Sequence, residues 1–347
     1  MAIFTRRRVW YNNKKMNDSS VSDTCKEEGP FCHDLPSEPL PHVGTILVTG
    51  ASGHVGGRLV PELLARGYKV RVMLRGRNIA YESRWTGAEI VIADALNEKH
   101  LKTALDGIDT AYYLIHSLRL GPKSFEAADI RASANFRKVA EEKRVKRVIY
   151  LGGLEDVRSS LSSHLGNRIE VARELKKGNT PVTVLRAAVI VGKGSASYEI
   201  MQYLVKRLPV IPFPGQARNK CQPVAISDVI KYLVGVLEVP ETAGKDFDIG
   251  GKDILTYIKM LNILSNLLDK RTIFIPFPFF NIWLYTYLAS ILTPIPGSIT
   301  RCLIEGLENE AICNDESIKK YFPFEPMSYK EAVLRTIDPG KQDNASC

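Results

Sequence analysis

Two stretches of the sequence carry residue types at spacings that could do chemistry. In "TGASGHVGGRLVPELLARG" (49–67), Gly50, Gly53 and Gly56 form a G-x-x-G-x-x-G unit between a β-branched run and an amphipathic stretch. Glycine at these places permits a tight turn, lets backbone N–H groups approach a pyrophosphate, and lets a helix lie close to a sheet. In "SSHLGNRIEVARE" (162–174), His164 and Arg168 stand one helical turn apart. At 100° per residue they share an arc with Leu165, Ile169, Val171, Ala172 and Leu175, opposite Asn167, Glu170, Arg173 and Glu174, so the pair should point inward or into a cleft. A histidine there could exchange a proton near neutrality, and an arginine, which keeps its proton, could hold sugar or substrate oxygens. The alternative is a satisfied cleft histidine beside an arginine that caps a carbonyl.

Positioning such groups needs a regular scaffold, and one is legible from residue 45 onward. Short β-branched runs at 45–49, 69–74, 89–93, 110–115, 146–151 and 182–190 alternate with helical patterns. That alternation implies right-handed βαβ crossovers and a parallel sheet covered on both faces. The expected fold is α/β: a Rossmann-type doubly wound core over 43–190 and a smaller C-terminal substrate lobe over 191–338 that includes returning core elements. Residues 1–42 and 339–347 are expected to be tails. The first has no apolar periodicity, so removing residues 1–40 should leave stability unchanged.

The end of the second strand decides which nucleotide such a core prefers. An NAD site places an acidic residue there for the ribose 2′-hydroxyl, whereas this chain has Arg75, with Arg77 two residues on. A guanidinium can grip a 2′-phosphate by charge-assisted hydrogen bonds, which favours NADP(H) over NAD(H). After the third strand, "IADAL" offers Asp94 where an adenine amino group could be read.

With these motifs in view, the chain resembles an atypical or extended short-chain dehydrogenase/reductase (SDR). "YYLIHSL", "SSHLGNRIEVARELKKGNTPVTVLRAAVIVGKGSASYEIM" and "DILTYIKML" are similar to a group of NAD(P)-binding proteins allied to NmrA-like redox sensors and to the NADPH-binding accessory subunit of respiratory complex I. The resemblance, over roughly 43–338, implies that Gly50, Ser52, Gly53, His54, Val55 and Gly56 hold a pyrophosphate. It likewise implies that Arg75 meets the 2′-phosphate and that Asp94 with Ala95 contacts adenine. It also exposes a departure: His164 and Arg168 replace the Tyr-x-x-x-Lys pair of SDR enzymes, and Gly152 and Gly153 stand where their serine would be.

Composition excludes several classes. The chain has 347 residues, a net charge of +9 and 45% hydrophobic residues, but its only dense basic cluster is at the N-terminus, so a nucleic-acid partner is not expected. The first 17 residues hold five basic side chains and no acidic ones, a weak likeness to an organelle transit peptide. Six scattered cysteines without a Cys-x-x-Cys unit imply a reducing, cytoplasmic home and no metal site; Cys25 and Cys32 read as free thiols in a loose tail. Tyr198, Met201, Tyr203 and Phe213 are expected to line an apolar pocket for a small molecule. Residues 273–296 form the most hydrophobic segment, but its prolines leave about 16 residues of clean helix, fewer than the roughly 20 that span a bilayer. A buried helix is the expectation and membrane contact the lesser alternative.

Two functions fit this sequence. One is an NADP(H)-dependent oxidoreductase for an apolar carbonyl or quinone-like molecule, with His164 as proton donor. The other is a non-catalytic NADP(H)-binding redox sensor, or an accessory or assembly subunit.

Overall fold

A computed structural model describes residues 31–77, 84–116, 122–154, 163–277, 286–287, 295, 300–301 and 304–338, excluding the side chains of 122–125 and 163–165. The first half contains β1 (Thr45–Val48), α1 (Gly56–Ala65), β2 (Val70–Leu74), β3 (Glu89–Ile92), α2 (Glu98–Ala104), β4 (Ile108–Tyr113), α3 (Pro122–Glu142), β5 (Arg147–Gly153), α4 (Ser163–Lys176) and β6 (Val182–Ala187). Then come β7 (Ile190–Val191), α5 (Ala196–Arg207), β8 (Val210–Phe213), β9 (Lys220–Cys221), β10 (Val224–Ala225), α6 (Ile226–Glu238), β11 (Asp246–Ile249), β12 (Leu255–Thr256), α7 (Tyr257–Leu267), β13 (Ile273–Pro276) and α8 (Tyr329–Ile337).

Seven strands form one parallel sheet in the order β11-β6-β5-β4-β1-β2-β3. The chain order reverses between β1 and β4, and the C-terminal ends of these two strands therefore flank the crevice where doubly wound folds take ligands. Strand periodicity divides the core. Ile46, Val48, Tyr112 and Ile149 face one cluster with Leu59 and Leu63 of α1 and Val229 and Leu233 of α6. Their neighbours Leu47, Tyr113, Val148 and Tyr150 face a second cluster with Phe136 of α3 and Val171 and Leu175 of α4.

The expected strand over 182–190 is two. β6 ends at Ala187 because both its neighbours end opposite it, at Gly153 and Ile249, and the chain then crosses into the small lobe to pair β7 with β10. Two elements from the C-terminal half, β11 and α6, complete the sheet and its cover. The lobe has its own core, in which Tyr198 and Met201 pack with Ile211, Met260 and Val333. They are core side chains there, and Phe213 is also buried.

Two further expectations need correction. Residues 31–42 are not a loose tail but a strap over α1 and α6. Every face of α6 is buried, and its polar residues need partners on the outer side. The strap supplies them: Asp34 pairs with Lys231 at 2.6 Å, and Ser37 donates to Glu238, which also holds Arg66 through two bonds of 2.6 and 2.7 Å. Glu62 accepts the Phe31 and Cys32 N–H groups, and Cys32 is 2% exposed, a buried thiol whose pKa burial pushes up. Deleting residues 1–42 should therefore cost on the order of 3–5 kcal/mol, from lost apolar burial and an opened Glu238 cluster. Thermal denaturation should show a drop of roughly 5–15 °C; an unchanged melting temperature would mean that the strap carries no stability.

The second correction concerns 273–296. Its start is a strand, since β13 pairs in parallel with β8, and Ile273, Ile275 and Phe277 are exposed. Later on, Thr286 and Ile295 are buried; most of the rest, 278–285 and 288–294, lies outside the described residues. Among the described residues no helix is long and apolar enough to cross a membrane.

Candidate functional site

The glycine loop follows β1 directly into α1, at the β1/β4 crevice. Gly50 has φ +64°, and a Cβ there would sit 2.3 Å from the Leu114 carbonyl oxygen, in the segment leaving β4. A Cβ on Gly56 would lie 2.6 Å from the Gly50 carbonyl oxygen. Gly53 is less confined, with its nearest neighbour the Gly50 oxygen at 3.1 Å. Thr49 stitches the two strands under the loop: its hydroxyl donates to Tyr112 O at 2.9 Å and accepts from Leu114 N–H at 3.0 Å. No side chain caps the N-terminus of α1 and no acid lies in its first turn, so no side-chain anion of the turn neutralises the positive end of the helix dipole. Ser52 is exposed and Val55 half-buried beside this end.

His54 is held from below. Its Nδ1 lies 3.0 Å from Arg58 Nη1, and Arg58 also donates to the carbonyls of His54 and Lys193. Burial, reinforced by the Arg58 charge, lowers the His54 pKa to about 3, so the ring is neutral. Its Nε2 is shut off from solvent without a hydrogen-bond partner among the described residues. His54 thus offers an anion its backbone, not a positive charge.

The rim residues lie at the same end of the sheet. Arg75 and Arg77 are exposed just past β2. Asp94 is exposed past β3, where one carboxylate oxygen accepts the Leu96 N–H at 2.9 Å; Ala95 is buried, and its carbonyl accepts from Asn135. A further guanidinium, that of Arg84, reaches the first turn of α1, with Nη2 3.5 Å from Gly57 O.

On the other side of the crevice is a buried polar cluster. His116, just past β4, places Nδ1 3.0 Å from Asp129 Oδ2 on α3, and Asn167 on α4 donates to the same oxygen at 3.0 Å. The Asp129 carboxylate side chain is 4% exposed. An ionised carboxylate can only accept, so the neutral imidazole must carry its proton on Nδ1. Burial lowers the His116 pKa, the Asp129 hydrogen bond opposes that, and the nearby Arg168 charge lowers it further. Tyr113 and Tyr150 complete the surroundings; burial raises both phenol pKa values.

The His164–Arg168 pair fares differently at its two members. His164 lies in the first turn of α4, and its side chain is outside the described residues. The Arg168 guanidinium donates to the Leu151 carbonyl of β5, and its Nε is shut off from solvent without a partner among the described residues. Asn167 and Glu174, expected on the outer face, are buried instead, because α3 offers them Asp129 and Arg137. At Gly152 a Cβ would lie 3.2 Å from the Tyr150 ring, so an aromatic edge occupies the space beside the position of the missing serine.

Sequence comparison decides the family, for the NmrA-like family matches over residues 42–300. The chain belongs to the NmrA-like family. Among curated relatives, photosystem II assembly factor Ycf39 of Trieres chinensis is 24% identical over 226 residues, 64% of this chain and 69% of that protein. The mitochondrial NADH dehydrogenase (ubiquinone) 1 alpha subcomplex subunit 9 of Arabidopsis thaliana is 25% identical over 241 residues, 67% of this chain and 60% of that one. The triphenylmethane reductase of Citrobacter sp., solved with NADP(H), has a TM-score of 0.68 at 20% identity, covering 84% of this chain and 99% of that one. That likeness shows the Rossmann-like α/β fold.

His116, Asp129 and Asn167 were not singled out from the sequence, although signals were there. His116 lies three residues past the buried strand β4, beside the switch point. Asp129 shares a helical face with Ala132, Phe136 and Val139, and an acid on an apolar face needs a buried partner.

Proposed function

We propose that the chain is an NADP(H)-dependent oxidoreductase acting on an apolar carbonyl, quinone or enone-like small molecule. The observation that carries nucleotide binding is the cradle at the switch point: Gly50 and Gly56 have no room for side chains, and the first turn of α1 has no side-chain cap. Such a cradle fits a pyrophosphate. Support also comes from relatives named as reductases, among them the 2-alkyl-3-oxoalkanoate reductase of Shewanella oneidensis, 26% identical over 110 residues.

The bound dinucleotide would supply hydride; the chain must hold the substrate oxygen and move a proton. His116 is the group we assign to the proton. Asp129 accepts from Nδ1–H, so the proton exchanged with substrate would be carried on Nε2, which is shut off from solvent in this structure. The fixed charge of Arg168 makes the imidazolium a stronger acid, hence a readier donor. His164, on the helix that carries the tyrosine in SDR enzymes, is the second candidate for the same task.

Arg75 sets the nucleotide preference in this reading. NADPH should bind more tightly than NADH, and Arg75→Ala should remove about ten- to a hundredfold of that difference, the worth of one charge-assisted phosphate contact. Titration of both nucleotides checks it, and equal affinities in the unaltered protein would overturn the preference.

A second reading, a non-catalytic NADP(H)-binding accessory or assembly subunit, is favoured by the absence of the SDR serine, tyrosine and lysine and by the assembly factor and respiratory subunit among the relatives. A screen for carbonyl- or quinone-dependent NADPH consumption by the purified protein separates the two. Tight NADPH binding without turnover of any acceptor would favour the second.

A further inference from the structure

We infer that the outer face of the β8–β13 ribbon docks onto an anionic lipid bilayer. The two strands run parallel in the register Val210–Ile273, Ile211–Phe274, Pro212–Ile275 and Phe213–Pro276. Alternation turns Ile211 and Phe213 inward, where both are buried, and leaves Val210, Ile273 and Ile275 outward. These three are 40%, 61% and 46% exposed, and Phe277, which follows β13, is 46% exposed. Four large apolar side chains on one narrow ribbon form a patch of the kind that marks a docking surface.

The charges around it select the occupant. Because the strands are parallel, the residues that lead into them gather at one end of the ribbon. Lys206 and Arg207 end α5 just before β8, Lys270 and Arg271 precede β13, and all four are exposed. Asp269 is the one acid in these two lead-in segments, 206–209 and 269–272. The arrangement is an apolar face with a cationic end, matching acyl chains below a layer of anionic headgroups. The sequence running on from the ribbon contains no Asp, Glu, Lys or Arg from Thr272 to Thr300, so it brings no charge that would oppose lipid contact. Docking of the ribbon does not depend on whether the site is catalytic.

The test is co-sedimentation of the full chain with large vesicles of phosphatidylcholine alone, or with about a third phosphatidylserine. Binding is expected on the anionic vesicles, weakening as salt is raised. Lys270→Glu with Arg271→Glu should reduce it at least 25-fold, at about fivefold per basic residue removed. Ile275→Ser with Phe277→Ser should reduce it by tenfold or more on the same vesicles. All four substituted side chains are exposed, so the variants should keep the melting temperature and NADPH affinity of the unaltered protein, which a folding defect would not. Failure to bind either vesicle, or binding that neither pair of substitutions weakens, would overturn the inference. So would loss of self-association by the serine variant without loss of lipid binding, which would make the ribbon a protein interface.

Discussion

Gly50→Ala is expected to cost the fold on the order of 2–4 kcal/mol and to abolish nucleotide binding, whereas Gly53→Ala should leave stability nearly intact and weaken binding alone. The contrast follows from where each Cβ would go. At Gly50 the backbone is left-handed, and the new atom would lie 2.3 Å from the Leu114 carbonyl oxygen, a backbone atom of the segment stitched to Thr49. Neither side can yield without parting β1 from β4, the pair that forms the crevice. At Gly53 the nearest atom is 3.1 Å away and φ lies outside the left-handed range, so alanine is accommodated by a shift of a few tenths of an ångström. What it removes is the bare approach to the backbone that a pyrophosphate needs. Thermal denaturation and NADPH titration of the two variants give a two-by-two pattern. If Gly53→Ala bound NADPH as tightly as the unaltered protein, the nucleotide would not lie on this loop.

The core was legible because its signals are local. The glycine spacing, the β-branched runs and their alternation with helices define β1 to β6 and the glycine loop without knowledge of distant contacts. What was not legible depends on partners far apart in sequence. The strap 31–42 is polar and aperiodic, and its order comes from α6, some 200 residues away, where Lys231 pairs with Asp34 and Glu238 accepts from Ser37. Likewise, a helical wheel assigns Asn167 and Glu174 to the solvent side because it counts them as polar; it cannot know that α3 presents Asp129 and Arg137 to them. The ribbon at 273–276 reads as part of a buried helix by hydropathy alone, and only pairing with β8 turns it into an exposed strand. The candidate site divides in the same way. Its glycine loop is a motif, while the His116–Asp129–Asn167 cluster is assembled from the segment after β4, from α3 and from α4, at separations of 13 and 38 residues.

His116→Ala is expected to lower turnover of any carbonyl or quinone substrate by about 10²–10⁴, the usual contribution of a general acid, while NADPH affinity stays within a few-fold. Asp129→Asn keeps the size of the side chain and can still accept a hydrogen bond, but it removes the anion that holds the proton on Nδ1 and supports the imidazolium; turnover should fall with it. The pH dependence has a definite sign. Burial and the Arg168 charge hold the His116 pKa below its ordinary 6.5 against the opposing Asp129 bond, so the donating imidazolium is a minor form at neutrality. Reduction should therefore quicken as pH falls through 6.5 and below, and this limb should vanish in His116→Gln. Arg168→Met removes the neighbouring positive charge, raises the His116 pKa and should move the limb to higher pH. That shift separates an electrostatic role for Arg168 from the merely structural one of capping the Leu151 carbonyl, which would leave the position of the limb unchanged. The competing donor is settled in the same experiment: if His164→Ala abolishes turnover while His116→Ala and its pH limb are normal, proton transfer belongs to α4, and the His116–Asp129–Asn167 cluster is a packing device beneath the crevice.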